Sequence, residues 1–355
     1  MRQTDQPRAY LNRLGTAVPR HDAHRRYLAW AETQLEGPRE RRLLGRMVER
    51  AGIEHRWTIF PEVEEASGPT ASEFYRDGAA AVPTSARMAA YAEAAPELAV
   101  AAVDALGRPA RITHLVLASC TGFMAPGVDQ IVAARLGLGP TVERTLVGFM
   151  GCYAGVAALR NAYHIVRSQP EARVLVITVE VCSVHLQPQS SLEPILAGLL
   201  FGDGAAAALV TAEPQGLELL APFSETLPES DALITWSIGD TGFRMFLSGE
   251  VPARIGAAVA TPAFRQRVGD VAAIDCWAVH AGGRTILDAV ERGLGLGHEA
   301  LSHSRDVLRD CGNMSSATLL FVLERILASG EAVADGLAIA FGPGLAAEGF
   351  RFRSA

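Results

Sequence analysis

The 355-residue chain has few cysteines, and their arrangement excludes two common uses of this residue. There are five, an odd number, and none belongs to a CxxC pair, so neither a disulfide framework nor a zinc site is expected. Most lie inside apolar runs, which is typical of free thiols in a reducing compartment. The five residues are Cys120, Cys152, Cys182, Cys276 and Cys311.

Long hydrophobic runs and clustered positive charge are also missing. Gly, Pro or charged residues interrupt every apolar stretch well short of the ~20 residues that a membrane span requires. The N-terminal stretch lacks the apolar centre of a signal peptide. The net charge is −7 and the basic residues are scattered, which argues against a nucleic-acid-binding surface. The sequence therefore predicts a cytoplasmic protein, with enough apolar residues (49%) for a sizeable core.

The most informative stretch runs from residue 145 to residue 166. An apolar run predicts the end of a buried strand, small residues then allow a sharp turn around Cys152, and an amphipathic helix follows. A cysteine at such an elbow lies beside unpaired backbone N–H groups and the positive end of the helix dipole. This position favours the thiolate, the form that attacks a carbonyl carbon. For a cysteine taken alone, a small buried core residue remains the simpler interpretation.

Around this elbow the chain alternates between predicted strands and helices, which indicates an α/β protein. A basic helix over residues 38–51 is either a solvated surface or a rim that binds phosphate. Residues 61–82 read as a loop, and residues 215–262 as a mixed, mostly extended stretch. Strands are predicted for residues 9–18, 112–119, 173–181, 205–210, 272–280 and 337–341, and helices for residues 25–34, 38–51, 84–106, 284–291 and 314–327.

The two halves of the chain line up at a constant offset of 161 residues. Cys152 and Asn313 each follow a glycine and open a predicted helix, and strand 114–119 maps onto residues 275–280. Duplicated units of this kind usually pack about a pseudo-twofold axis. We therefore expect a cleft that receives Cys152 from one half, and His280 and Asn313 from the other.

These three side chains suit one kind of chemistry. A cysteine nucleophile needs a base or an ion-pair partner, and His280 at a strand end can serve as either. We expect a charged His280 to lower the pKa of Cys152. The amide N–H of Asn313, like His280, can donate to a developing oxyanion or enolate. Singly, His280 is more simply a core histidine and Asn313 a helix cap.

Five motifs carry a specific resemblance to a known family. GCYAG, LFGDGAAA, WAVHAGG, CGNMSSA and FGPG occur in this order across nearly the whole chain. Together they resemble the type III polyketide synthases, the chalcone-synthase-like branch of the condensing enzymes. The resemblance implies a thiolase-like αβαβα layered fold built from two halves, residues 1–215 and 216–355. It also implies a homodimer that acts on an acyl-CoA starter and malonyl-CoA, with no metal and no redox cofactor.

The resemblance also assigns roles to individual residues. Cys152 corresponds to the nucleophile that carries the acyl chain, and His280 and Asn313 to the pair that stabilises the enolate left by decarboxylation. Arg46 and Arg50 match basic positions that meet coenzyme A phosphates, and a third such position falls on Leu43, so that Arg39 or Arg42 is expected to substitute. Phe201 matches an aromatic gate residue. The other expected substrate-binding residues are Met245, His185, Cys120, Thr121, Gly198, Ser315 and Pro343.

Several of these positions depart from the plant enzymes. Met245 replaces a second aromatic gate residue, His185 and Cys120 replace other polar side chains, and Ala125 replaces a methionine that reaches across the dimer. A thioether is flexible and lacks the flat stacking surface of a ring. The cavity should therefore prefer an aliphatic or malonyl-derived starter over a coumaroyl one, and give a short pyrone, resorcinol or phloroglucinol-type product.

Three other interpretations are open. A ketoacyl-ACP synthase III-like enzyme uses the same Cys, His and Asn, but usually has Thr after the asparagine, where this chain has Met314. A papain-like hydrolase and a non-catalytic acyl-CoA-binding protein are the remaining alternatives. Decarboxylation of malonyl-CoA without an acyl carrier protein distinguishes the synthase from these.

Overall fold

The computed structural model describes residues 7–61, 82–187 and 192–355. The loop predicted for residues 61–82 falls, except for its two end residues, outside them. The strands are β1 Ala9–Ala17, β2 His21–Asp22, β3 Trp57–Thr58, β4 His114–Ser119, β5 Glu143–Gly148, β6 Val174–Glu180, β7 Gly204–Thr211, β8 Leu217–Thr226, β9 Ile234–Gly239, β10 Gly242–Leu247, β11 Cys276–Val279, β12 Gly336–Gly342 and β13 Ala346–Ser354. The helices are α1 His24–Thr33, α2 Pro38–Ala51, α3 Thr84–Leu106, α4 Val128–Arg135, α5 Ala154–Ser168, α6 Leu192–Gly198, α7 Val251–Val259, α8 Pro262–Val268, α9 Arg284–Leu294, α10 Ser302–Cys311 and α11 Thr318–Ser329.

One nine-stranded sheet organises the molecule, in the order β11-β12-β13-β8-β1-β7-β6-β4-β5. From its centre, β1-β7-β6-β4 runs outward on one side and β8-β13-β12-β11 on the other. On both sides, the second pair of neighbouring strands counted from the centre is antiparallel (β7 with β6, and β13 with β12). The third pair is parallel on both sides (β6 with β4, and β12 with β11). The two halves of the chain therefore form two matching halves of the sheet, joined where β1 pairs with β8.

The repeat of the sequence is present in the structure. Helices α5 and α11 end at Ser168 and Ser329, which are 161 positions apart. The four residues of β11 match residues 115–118 of β4 at the same offset. The two elbows, at Cys152 and Asn313, thus occupy equivalent places in the two halves.

The two halves of the sheet share one central cluster, and each half has a further cluster on its outer face, which gives five layers. In β4, Val116 and Ala118 face the central cluster that contains α5 and α11, whereas Leu115 and Leu117 face α3 and α4. On the other half of the sheet, β11 and β12 pack on a third cluster with α7 and α9. Because successive residues of a strand point to opposite faces, strands buried on both sides read as continuous apolar runs.

The strand before the Cys152 elbow differs from its prediction. The sequence predicts a buried strand, but β5 is the last strand of the sheet and pairs only with β4. Leu146 is 49% exposed, and Val147 is the buried residue of the strand. A hydrophobic run alone does not distinguish a central strand from an edge strand whose apolar side chains face outward.

Other elements were mispredicted or missed. Helix α10 and strand β13 were not predicted, and the stretch 215–262 contains helix α7 beside β8, β9 and β10. The helix predicted to begin at Met314 begins at Thr318, after a 3-10 turn over Ser315–Ala317. Across the described residues, no helix combines the length and the apolar character needed to span a membrane.

Candidate active site

Cys152 lies in a tight turn between β5 and α5. Gly151 has φ of 81°, and a Cβ on it would stand 2.3 Å from Cδ of Pro343. Only glycine allows this close approach of the elbow to the loop that follows β12. Ala154 N–H donates to Gly151 O (2.9 Å), which closes the turn and starts the helix. Cys152 is half-buried at the wall of a cavity.

Asn313 occupies the matching elbow of the other half. Its backbone N–H donates to Leu200 O (2.7 Å), and its backbone oxygen accepts from Gly202 N–H (3.0 Å). Its side-chain oxygen accepts from Ser315 N–H (2.9 Å), so its amide nitrogen is oriented away from that residue and donates to Gly282 O (3.3 Å). The amide therefore presents donors, not an acceptor, on its outward side.

His280 directly follows β11 and is 2% exposed. Its backbone N–H donates to Ile339 O (2.8 Å), which extends the pairing of β11 with β12. Within the described part of the chain, neither ring nitrogen has a hydrogen-bond partner. A buried ring that leaves both nitrogens unpaired is costly unless a ligand supplies partners.

Burial favours the neutral forms of both reactive groups. It raises the pKa of the Cys152 thiol to about 11, against hydrogen bonds from Ser315 and Asn313 that act to lower it. It also lowers the pKa of His280 to about 3. No ion pair joins the two side chains among the residues described. The free protein thus gives no support to the prediction that a charged His280 lowers the pKa of Cys152, which stays a prediction.

One cavity of about 770 Å³ collects the three residues, and both halves of the chain line it. Every residue that the sequence proposed for substrate binding also lines it. These residues are Phe201, Met245, His185, Cys120, Thr121, Gly198, Ser315 and Pro343. Ala125, by contrast, is exposed and is not among the described lining residues.

His185 is held by the backbone on both sides of its ring. Nδ1 accepts from Phe243 N–H (3.1 Å), so Nε2 carries the proton and donates to Thr121 O (2.6 Å). Burial lowers the pKa of His185 to about 4, which keeps the ring neutral. The ring also stacks on Phe243, with centroids 4.1 Å apart. Since both nitrogens are occupied, His185 presents a ring surface to the cavity and not a free donor or acceptor.

Glu180 is a buried carboxyl group that sequence reasoning missed. It accepts from the backbone N–H of Cys120 (3.0 Å), from Thr121 Oγ1 (2.9 Å) and from Ser316 Oγ. Burial raises its pKa to about 7. It ties the turn after β4 to the turn before α11, and so fixes two walls of the cavity. The signal in the sequence was a single glutamate at the end of an apolar strand.

Trp236 is a second missed residue. On β9, opposite Met245, its Nε1 donates to Cys120 O (2.9 Å). Its ring meets His185 and Phe243 edge-on, with centroids 5.5 and 5.6 Å away. The indole therefore narrows the cavity beside Cys120. It lies within residues 215–262, which were predicted only as a mixed, mostly extended stretch.

The basic residues proposed for coenzyme A lie outside the cavity lining. Arg46 and Arg50 are on the exposed side of α2, and Leu43 is 42% exposed there. Arg284, the first residue of α9, reaches the end of the same helix: its Nη1 is 3.5 Å from where a Cβ of Gly52 would be. The next residues of α9 border the cavity at Ile286.

Comparison with known protein families covers almost the whole chain. Residues 1–214 match the N-terminal domain of chalcone and stilbene synthases, and residues 218–355 match the C-terminal domain. The chain belongs to the chalcone and stilbene synthase family.

Among relatives of this family, an alpha-pyrone synthesis polyketide synthase-like protein, Pks18 of Mycobacterium tuberculosis, is 38% identical over 259 residues. That match covers 69% of this chain and 66% of the relative, so it spans slightly less than two thirds of the length of Pks18. Type III polyketide synthase A of Arabidopsis thaliana is 35% identical, over 75% of this chain and 72% of its own.

Solved structures agree on the fold. PKS-I of the brown alga Ectocarpus siliculosus superposes with a TM-score of 0.89 at 29% identity, covering all of both chains. The C-terminal type III polyketide synthase domain of Steely1 from Dictyostelium gives 0.87 at 26% identity, covering 98% of this chain and 99% of that domain. The predicted thiolase-like layered fold is confirmed.

Proposed function

We propose that the protein is a type III polyketide synthase, an acyltransferase that condenses malonyl-CoA units with an acyl starter held on Cys152. The observation that carries this proposal is the convergence of Cys152, His280 and Asn313 on one cavity, with both ring nitrogens of His280 unpaired within the described residues. A thioester carbonyl placed there would give the imidazole a partner and would lie beside the amide of Asn313.

In the first step the starter moves from coenzyme A to the enzyme. His280 takes the proton of the Cys152 thiol, and the sulfur attacks the thioester carbonyl. The carbon–sulfur bond to coenzyme A breaks, and its thiolate leaves with that proton. Burial favours the neutral forms of Cys152 and His280 in the free protein. The proton therefore moves to His280 as the sulfur attacks, and not before the substrate binds.

In the second step malonyl-CoA occupies the cavity. Its carboxylate leaves as CO₂, and the electron pair of the broken bond passes to the thioester oxygen as an enolate. His280 and the Asn313 amide donate hydrogen bonds to that oxygen. The enolate carbon then attacks the acyl group on Cys152 and frees the thiolate, and repetition followed by cyclisation gives the product.

Coenzyme A thioesters serve as substrates in this scheme, which requires no metal and no redox cofactor. Arg46 and Arg50 are proposed to meet the coenzyme A phosphates, supported by their exposed position on α2 and by the approach of Arg284 to the end of that helix. An aliphatic or malonyl-derived starter and a short pyrone, resorcinol or phloroglucinol-type product remain our proposal, supported by Met245 and the narrowing indole of Trp236.

The decisive assay is malonyl-CoA decarboxylation without acyl carrier protein, followed by incubation with starter CoAs of graded length and mass spectrometry of the products. Cys152→Ala should abolish extension, and peptide mapping should find the acyl mass on Cys152. Acylation of Cys120 or Cys182 instead, or a strict need for acyl carrier protein, would refute the assignment. The second outcome would indicate a ketoacyl-ACP synthase III-like enzyme.

We also propose a homodimer located in the cytoplasm. Two observations support self-association: β5 is an edge strand with Leu146 49% exposed, and Phe123 nearby is 42% exposed. Apolar side chains on an open strand edge favour pairing with another chain. The location is supported by the five cysteines, all of which are free thiols.

A further inference from the structure

The cavity extends beyond the three central residues to a corner formed by Tyr27, Trp30 and Arg56, which we name the Tyr27 corner. All three line the cavity. The Arg56 guanidinium lies over the Tyr27 ring at 4.4 Å, and the Trp30 ring lies 5.5 Å from the same ring, centroid to centroid. The Tyr27 hydroxyl donates to Ile195 O (2.5 Å), which holds the phenol in place.

Two hydrogen-bond donors of this corner have no partner in the described residues. They are Nη2 of Arg56 and Nε1 of Trp30, and both atoms are buried. The other nitrogens of Arg56 are used: Nε donates to His24 Nδ1 (3.1 Å), and Nη1 donates to Gly198 O (2.6 Å) and Phe201 O (3.0 Å). Unpaired buried donors are uncommon, and two around one ring suggest an absent acceptor.

The charge of Arg56 also lacks a direct counter-ion among the residues described. The side chain is 4% exposed, and burial lowers its pKa to about 10, so it remains a cation at neutral pH. The two nearby carboxyl groups bind elsewhere. Asp203 accepts from Ile59 N–H and from Ser183, and Asp22 from His24 N–H, His55 and the backbone N–H of Arg56. A buried cation without a paired anion is costly, and a bound anion removes that cost.

The arginines that line the described part of the cavity give it a positive charge. Its described lining includes Arg26, Arg56 and Arg244 but no aspartate or glutamate. Arg26 contributes near the corner, where it donates to the backbone oxygens of Phe60 and Pro61 (3.4 Å each). In a low-dielectric space such an arrangement favours a negatively charged ligand over a neutral one.

The Tyr27 corner also contacts the residues next to Asn313. Arg56 donates to the backbone oxygen of Phe201, and its Cγ lies 3.0 Å from where a Cβ of Gly312 would stand, one residue before Asn313. One continuous cavity contains both Arg56 and Cys152. A ligand with its thioester at Cys152 can therefore extend its far end towards the corner.

We propose that the Tyr27 corner is a carboxylate-binding subsite that holds the free carboxylate of a dicarboxylic acyl thioester whose other end is transferred to Cys152. The planar guanidinium and the indole N–H supply donors to the two carboxylate oxygens. This inference rests on the proposed function and specifies its starter class: acyl groups with an acidic far end.

The test compares CoA starters matched in chain length: succinyl with butyryl, adipoyl with hexanoyl, and suberyl with octanoyl. Acylation of Cys152 is followed by rapid quench and intact-protein mass spectrometry, which requires no decarboxylation. In the wild type, at least one dicarboxylic starter should acylate Cys152 with a second-order rate constant about tenfold higher than its monocarboxylic match. The length of the best starter then reports the distance from Cys152 to the corner.

Variants of Trp30 and Arg56 test whether the preference for the dicarboxylic starter arises at the Tyr27 corner. Trp30→Phe keeps an aromatic ring but removes the indole donor, and should reduce the preference for the acidic starter several-fold. Arg56→Lys keeps the charge but loses the fork and should do the same. Trp277→Phe, a buried indole outside the cavity lining, is the matched control and should retain the preference.

Two results would overturn the subsite: no dicarboxylic starter loading faster than its match at any length, or a full preference surviving in both Trp30→Phe and Arg56→Lys. Either result leaves the proposed function intact, provided that malonyl-CoA is decarboxylated and monocarboxylic starters are extended. Failure of those two reactions would count against the proposed function instead.

Discussion

Phe201 and Asn313 are paired through a parallel backbone bridge between the two halves of the chain. The bridge places an aromatic ring and an amide donor, 112 positions apart in sequence, side by side at the cavity wall. The bridge holds the backbone of Asn313, and the Ser315 N–H and Gly282 O hold its side-chain amide. The amide donors therefore do not need to reorganise when charge develops on a substrate oxygen.

Asn313→Asp should therefore reduce malonyl-CoA decarboxylation by two to three orders of magnitude, roughly the cost of removing one oxyanion donor. The aspartate retains an oxygen for the Ser315 N–H, which Asn313 Oδ1 accepts at 2.9 Å, so the turn should persist. The measurement is CO₂ release from radiolabelled malonyl-CoA, with acylation of Cys152 as the control for folding. Decarboxylation within threefold of wild type would contradict the role of the amide.

The reactivity of Cys152 towards iodoacetamide should rise with pH through the alkaline range and show no plateau near neutrality. Burial raises the pKa of this thiol to about 11, so the neutral thiol dominates at pH 7. Ser315→Ala removes a hydrogen bond that lowers this pKa, and should move the profile to higher pH. His280→Ala should leave the profile of the free protein unchanged. A plateau below pH 8 that disappears in His280→Ala would restore the ion-pair hypothesis.

Trp236→Ala should lengthen the product by at least one malonyl unit or admit a bulkier starter. The indole stands between Cys120 and the pair His185 and Phe243, and its removal opens the cavity there. Trp236→Phe keeps most of the ring while losing the hydrogen bond to Cys120 O, and separates volume from bonding. Product masses by liquid chromatography and mass spectrometry decide the matter. An unchanged product distribution in the alanine variant would mean that this wall does not limit chain growth.

Leu146→Glu should convert the proposed dimer to monomer at micromolar concentration. A charge on the exposed edge strand β5 opposes pairing with a second copy. Light scattering gives the mass, and Leu43→Glu, which changes an apolar residue of similar exposure (42% against 49%) on α2, is the control. A wild-type monomer, or a dimer that survives the Leu146 change, would count against an interface at this edge.

The sequence predicted the grouping of Cys152, His280 and Asn313 at one cavity better than the surroundings of these residues. Cys152, His280 and Asn313 each stand at the end of an element that local signals define, and the repeat shows which ends meet. Glu180 was missed because its donors come from residues 120, 121 and 316, and no local pattern connects them. The hydrogen bonds of His185 could not be predicted for the same reason, since Phe243 and Thr121 satisfy its ring from distant parts of the chain.

Electrostatics was the least accessible property. A cysteine at the start of a helix suggests a lowered pKa, but burial of Cys152 in the cavity raises it. How far the residue is buried depends on the packing of both halves of the chain around the cavity. The surface strand β5 illustrates a related problem. Its apolar side chains look like core residues until the order of strands is known.

The two matched elbows of the chain carry different residues, Cys152 and Asn313. Two identical half-chains related by a true twofold axis would carry the same residue at both elbows, either two thiols or two amides. Within one polypeptide each elbow can carry its own residue, so that under the proposed function one holds the acyl group while the other binds its reaction partner. The loss of perfect symmetry thus gives the molecule one asymmetric reaction chamber in place of two equivalent ones.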